Sequence, residues 1–237
     1  MTETERTADG EGATVGFQRA RKPAEKAQRR AAILRAAAEL LGEERLEDVG
    51  LNAIARRSGV SKPNIYRYFE SREEVLLRLF LEDLGDFVRG VERGLEPLAR
   101  TGDRATVAGV LTGAFVARPR LCRLLGVLQS VLEQNVSSEV IAEAKGEVLG
   151  LSRRASRALH AALPGVPPEE CAWANSTIAL LVAGMWPAAH PAPNAALVLE
   201  REEFRALRPD MGRDLEKAIL VVLRGLGGEA GRSREAP

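Results

Sequence analysis

A chain of 237 residues that is 45% hydrophobic but only 4% aromatic can bury a sizeable core made mostly of Leu, Val, Ile and Ala, a composition that favours helices over a β-sandwich. No apolar run reaches the roughly 18 residues that span a bilayer, and the polar, acidic start MTETERTADGEGATVG has no signal-peptide core, so a cytoplasmic chain without a membrane partner is expected. The net charge of +1 hides an uneven distribution: Arg19 to Arg72 carries 13 basic and 7 acidic side chains, and the remainder is net acidic, which points to a polyanionic partner at one end.

Residues 1 to about 18 lack any apolar period, and with the basic run that follows, residues 1–22 read as a disordered, basic arm. A first helix is expected over 24–42, where Ile33, Ala37 and Leu40 with Leu34, Ala38 and Leu41 recur at helical spacing and Gly42 ends the run. LNAIARRSGVSKPNIYRYF then divides in two. Leu51, Ile54 and Ala55 give 51–57 an apolar face, and Ser58-Gly59-Val60 is a turn whose glycine suits a left-handed conformation. Ser61 reads as the N-cap of the next helix, with Pro63 in its first turn.

SREEVLLRLFLEDLGDFVRGVERGLEP opens on Ser71 and Glu74 as a capping box and continues as one long helix to Leu95. Further helices follow over DRATVAGVLTGAFVA, over RLCRLLGVLQSVLEQN, from Ser137 or Ser138 to ALHAAL, over PPEECAWANSTIALLVAGMW ending at Pro187, and over DMGRDLEKAILVVLRGL. PAAHPAPNA reads as a loop, and residues 228–237 as a flexible tail.

Two short helices around a glycine turn form a helix-turn-helix, here spanning Gly50 to Phe69. Such a unit must bury one face and offer donors on the other. Ile54, Ala55, Val60, Ile65 and Phe69 suit the first task. For the second, Lys62, Asn64 and Arg67 are base-edge candidates, because Asn pairs bidentately with adenine and Lys or Arg with guanine in the major groove. Tyr66, Tyr68 and Arg72 are phosphate or positioning candidates, Pro63 can touch a thymine methyl, and Ser61 opens the reading helix.

The cysteines Cys122 and Cys171 make neither a disulfide framework nor a metal set, and His160 and His190 are isolated. No catalytic residues, metal site or cofactor are therefore expected, and the chain does not read as an enzyme. A helical protein–protein adaptor accounts for the helices but not for the basic head.

LNAIARRSGVSKPNIYRYFESREEVLLRLF resembles the DNA-binding domain of the tetracycline-repressor-like (TetR) regulators over about residues 27–87, through Ile54-Ala55, Ser58-Gly59-Val60-Ser61, Tyr66-Arg67-Tyr68-Phe69 and the Arg72-Glu73 start of a long helix. Gly50 departs from a frequent capping Thr, and Pro63-Asn64 from Gly-Thr or Gly-Ser.

The resemblance implies an all-α protein. An N-terminal three-helix helix-turn-helix domain (residues 23–70) would be followed by a C-terminal helical domain (71–227) that binds a small molecule and dimerises. It further implies a homodimeric, ligand-responsive repressor on a near-palindromic double-stranded operator.

Small and apolar residues at helical spacing make Ala172, Ser176, Ala179 and Ala183 with Leu215, Ile219, Val222 and Leu226 candidates for the dimer interface. Phe115, Leu125, Leu128, Gln129, Leu132, Trp173, Thr177, Met185 and Trp186 are candidates for the effector pocket. The lack of clustered charge in the middle helices argues for a neutral or apolar effector.

Overall fold

The structure is a computed structural model and describes residues 12–100 and 102–227, so the first eleven residues of the expected arm and the expected tail lie outside the described residues. Among the described residues there are ten α-helices and no strand. The chain divides into two compact units, one ending at Val75 and the other beginning at Leu76. The boundary falls inside a continuous helix, Arg72–Leu95.

The N-terminal unit holds α1 (Gly12–Glu43), α2 (Leu51–Ser58), α3 (Lys62–Ile65) and the start of α4 (Arg72–Leu95). α1 begins earlier than the expected residue 24. Gln18, Ala20, Arg21 and Lys22 are good helix formers, so the later part of the arm has a local reason to be helical without an apolar period. Its stripe of Ile33, Leu34, Ala37, Leu40 and Leu41 is buried together with Val49, Ile54, Ile65 and Phe69. Arg57 of α2 reaches back to α1 and pairs with Glu43 (2.7 Å) and Glu39 (3.4 Å).

The C-terminal unit continues α4 and adds α5 (Arg104–Val116), α6 (Pro119–Leu125), α7 (Ser138–Ala162), α8 (Pro168–Ala189), α9 (Pro193–Leu199) and α10 (Arg213–Gly225). α10 packs on α5 and α8, and α8 also packs on α6 and α7. Phe87 and Phe115 meet with ring centroids 4.3 Å apart. Asp103 caps α5 by accepting from the Ala105 N–H, and Ser137 caps α7 by accepting from Val140. Arg104 donates to the Leu223 and Leu226 carbonyls at the end of α10, supplying partners that a helix C-terminus lacks.

Three local expectations are corrected. RLCRLLGVLQSVLEQN is not one helix. α6 stops at Leu125, and Leu128–Leu132 forms a single wide turn with five-residue hydrogen-bond steps, from Leu132 to Val127 and from Glu133 to Leu128. Gly126 sits at the break, against α8, where a Cβ would come 3.2 Å from the Ala183 carbonyl. That carbonyl lacks its helical partner because position 187 is a proline, which has no N–H to give.

α8 itself runs through Pro187 to Ala189 rather than stopping before it, and His190 closes it by stacking on Trp186 at 3.7 Å. The segment read as a proline-rich loop holds the first turn of α9, because Pro193 falls at its start and the Asn-Ala-Ala-Leu-Val-Leu that follows propagates.

Both cysteines are buried and free. Burial pushes the Cys122 thiol up to about 12 and the Cys171 thiol up to about 11, so neither is a thiolate near neutral pH.

Candidate nucleic-acid interface

α2 starts after Gly50, whose extended backbone (φ −97°, ψ 165°) brings no side-chain cap. It ends on Gly59 at φ +70°, a left-handed position that Gly takes without steric cost. Ser58 Oγ accepts from the Val60 N–H at 3.2 Å and holds the turn. Ser61 is the extended residue before α3 and makes no side-chain cap bond. Its carbonyl instead accepts from Asn64 (2.8 Å) and Ile65 (3.0 Å).

α3 is shorter than expected. After Ile65 the ladder tightens to three-residue steps, Arg67 to Asn64 and Tyr68 to Ile65, before Phe69 returns to Ile65. Pro63 lies in the first turn. The register still separates two faces. Ile65 (0% exposed) and Phe69 (2%) point into the core, while Ser61, Lys62, Pro63, Asn64, Tyr66 and Arg67 are exposed and Tyr68 is half-buried. Tyr66 is 53% exposed, so its ring stands free on the same side as Lys62 and Asn64.

The next turn locks this element in place. Ser71 Oγ accepts from the Glu74 N–H at 3.1 Å, and the Glu74 carboxylate accepts from the Glu70 N–H at 2.6 Å. This is the expected box with its return bond displaced by one residue, from the cap to the residue before it.

Arg72 is placed differently from a phosphate anchor. Its Nε donates to the Val49 carbonyl at 2.6 Å, one terminal nitrogen donates to the Leu46 carbonyl, and the other pairs with Glu73 at 3.1 Å. The guanidinium is turned inward and ties the loop after α1 to the first turn of α4, so of the two roles open to it, positioning is the one its contacts fill. Sequence reasoning missed two further groups. Arg30 of α1 stacks over the Phe69 ring at 5.2 Å, and Arg57 braces α2 on α1. Both partners are distant in sequence, so no spacing rule signals them.

In the C-terminal unit, Phe115 and Leu132 are buried, and Leu125, Leu128, Thr177, Met185 and Trp186 are half-buried. Gln129 and Trp173 are exposed, Trp173 by 59%, so neither lines an internal pocket in this arrangement. Trp173 belongs to the outer stripe of α8 because the buried stripe is already filled by Cys171, Ala174, Ile178 and Val182. Leu128 lines a cleft with Leu77, Glu133, Ile141, Ala144, Lys145 and Val148 that encloses about 30 Å³, room for about one water.

Among the dimer candidates, Leu215, Ile219 and Leu226 are buried within the protomer and are corrected to intramolecular core. Ala172 and Ser176 are exposed, and Ala179, Ala183 and Val222 are half-buried. Leu180 (65% exposed) and Val221 (62%) are exposed apolar residues that the sequence reading left out. No helix among the described residues is long and apolar enough to cross a membrane.

Two family models match the chain. "Bacterial regulatory proteins, tetR family" covers residues 33–79, and "Tetracyclin repressor-like, C-terminal domain" covers residues 81–230. The HTH-type transcriptional activator FasR of Mycolicibacterium smegmatis is 30% identical over 110 residues, which is 46% of this chain and 50% of that protein. A fatty acid metabolism regulator protein of Bacillus subtilis is 31% identical over 72 residues, 30% of this chain and 37% of that protein. The chain thus spans half or less of the length of these curated relatives. A crystal structure of a TetR transcriptional regulator from Rhodococcus sp. RHA1 shares the fold at a TM-score of 0.53 and 21% identity, covering 85% of this chain and 98% of that one.

Proposed function

The chain belongs to the tetracycline-repressor-like family of bacterial transcription regulators, and on that premise we propose that it binds a near-palindromic operator as a homodimer and represses transcription until a small molecule releases it. The observation that carries the DNA-reading part is the two-faced segment after Gly59. Ile65 and Phe69 anchor it, and Lys62, Asn64, Tyr66 and Arg67 project from it into solvent.

In this reading Asn64 pairs with an adenine edge, and Lys62 and Arg67 with guanine edges. Tyr66, Tyr68 and Ser61 hold phosphates, and the Pro63 ring lies against a thymine methyl. Arg72 contributes by fixing the loop behind the reading segment. Asn64→Ala and Lys62→Ala are each expected to cost about 1–3 kcal/mol of operator binding and to relax specificity at the base pair that the side chain reads. Fluorescence anisotropy on a panel of single-base operator variants measures both. An Asn64→Ala protein that discriminates those variants as sharply as wild type removes Asn64 from the reading set.

One short helix makes few base contacts, and a two-fold pair on successive major-groove faces, about 34–36 Å apart, multiplies them. The exposed stripe of α8, with Ala172, Trp173, Ser176 and Leu180, supports a self-complementary interface to which Val221 and Val222 of α10 add apolar area. Leu180→Arg places a charge in that stripe. It is expected to yield a folded monomer by sedimentation equilibrium, with operator affinity reduced to that of a half-site. A Leu180→Arg protein that stays dimeric excludes this face.

The effector is read as entering between the middle helices of the C-terminal unit. Thr112 of α5, one turn from Phe115, keeps a buried hydroxyl with no protein hydrogen-bond partner, a cost of about 1–3 kcal/mol that a polar group of the effector would remove. The cleft at Leu128 is far smaller than the roughly 300–1,000 Å³ of ligand pockets, so binding there requires the helices to part. Release of DNA would then be a population shift toward the parted form.

A further inference from the structure

A second concavity in the C-terminal unit belongs neither to the reading segment nor to the residues expected to line the effector pocket. It is an open groove of about 570 Å³ floored by Leu81 and Gly85 of α4 and by Gly150 and Leu151 of α7, with Arg153, Arg154 and Arg157 along one wall and the Glu147 carboxylate at its edge. Two ion-pair straps join α4 to α7 beside it. Arg78 pairs with Glu143 (2.6 Å) and Glu147 (3.0 Å), and Glu92 takes both Nε (2.9 Å) and a terminal nitrogen (2.6 Å) of Arg154.

These straps leave the local charge unbalanced. Glu147 and Glu92 each already hold a cation, and Asp86 holds Arg89, whose guanidinium lies over Gly85. Arg153 and Arg157 are exposed, and Arg157 reaches Glu92 only as a nearby charge. They stand one helical turn apart, so their guanidinium groups can converge on one anion. Guanidinium forks match carboxylate and phosphate oxygens bidentately. Gly150 is a poor helix residue in the middle of α7, and a Cβ there would meet nothing within 4 Å, so the backbone is laid bare to the groove.

We propose that this groove recognises an amphipathic anion, its carboxylate or phosphate head held by Arg153 and Arg157 and its apolar chain lying on Leu81 and Leu151. Arg153, Arg154 and Arg157 fall within five residues of α7, and the fold sets this cluster beside Leu81 and Gly85 of α4. The inference is independent of operator binding.

Isothermal titration of the full chain with sodium decanoate, decyl phosphate, decanol and inorganic phosphate, each below its micellar concentration, tests it. Both decyl anions are expected to bind about tenfold or more tightly than decanol or inorganic phosphate, and the tighter of the two identifies the head group. The Arg153→Gln/Arg157→Gln double variant should weaken both anions by about tenfold or more with little change in melting temperature, since Arg154 keeps its two bonds to Glu92. Gly150→Leu should block the groove with every charge in place. Double-variant binding equal to wild type, decanol binding as tightly as decanoate, or no heat from either anion overturns the proposal.

Discussion

Phe69→Ala is expected to remove about 3–5 kcal/mol of stability from the N-terminal unit, the usual cost of truncating a fully buried phenylalanine. Small domains hold only about 5–15 kcal/mol in total, so most of this unit's margin goes. The ring closes the core under α3 and also carries Arg30 on its face at 5.2 Å, and both contacts are lost together. Hydrogen exchange followed by mass spectrometry should show peptides from 24–75 exchanging rapidly while those from 104–226 keep their protection. DNA binding should disappear with the protection. Tyr66→Ala is the contrasting case, because an exposed ring contributes little to the core. It should lose operator affinity at unchanged stability. A Phe69→Ala protein destabilised by less than about 1 kcal/mol would mean that the reading segment is not seated on this side chain.

Arg72→Ala is expected to cost about 2–3 kcal/mol, because hydrogen bonds from a charged donor are worth about 1.5–3 kcal/mol and the Leu46 and Val49 carbonyls lose their shared partner together. Arg72→Lys should recover only part of this, since a single ammonium cannot span two carbonyls and Glu73 as the planar fork does. Urea denaturation of wild type and both variants, with and without operator, separates the positioning role from phosphate contact. A positioning residue lowers stability in the absence of DNA. A phosphate contact would lower affinity and leave the free protein's stability unchanged. The second outcome would reverse the assignment made from the geometry.

The residues that were legible in the sequence are those governed by local rules. Gly59 announced its positive φ by standing between two short apolar-periodic segments, and the Ser71–Glu74 box announced the start of α4. Ile65 and Phe69 announced an inward face by lying four apart. The inward turn of Arg72 was not legible, because its carbonyl partners lie 26 and 23 residues earlier on a loop with no periodic signal.

Leu215, Ile219 and Leu226 show a second kind of limit. Periodicity identified an apolar stripe correctly, but a stripe does not say which surface covers it, and α5 and α8 of the same protomer do so. Trp173 failed in the opposite direction: a large aromatic in an apolar helix reads as core, yet the other side of α8 was already full. At the break, Gly126 lies against the Ala183 carbonyl, 57 positions away in the sequence. Non-local pairings of this kind exist only once the chain has folded.

If Lys62, Asn64, Tyr66 and Arg67 form a reading edge used in symmetric pairs, the purified full chain should select a shared site from sheared genomic DNA. Enrichment of a two-fold repeated motif is expected, with half-sites centred about one helical turn, or a multiple of it, apart. Affinity should fall steeply with added salt, and the Asn64→Ala variant should blur one position in each half-site. Recovery of fragments with no shared motif, or of a motif that the Asn64→Ala and Lys62→Ala variants bind as wild type does, would contradict it.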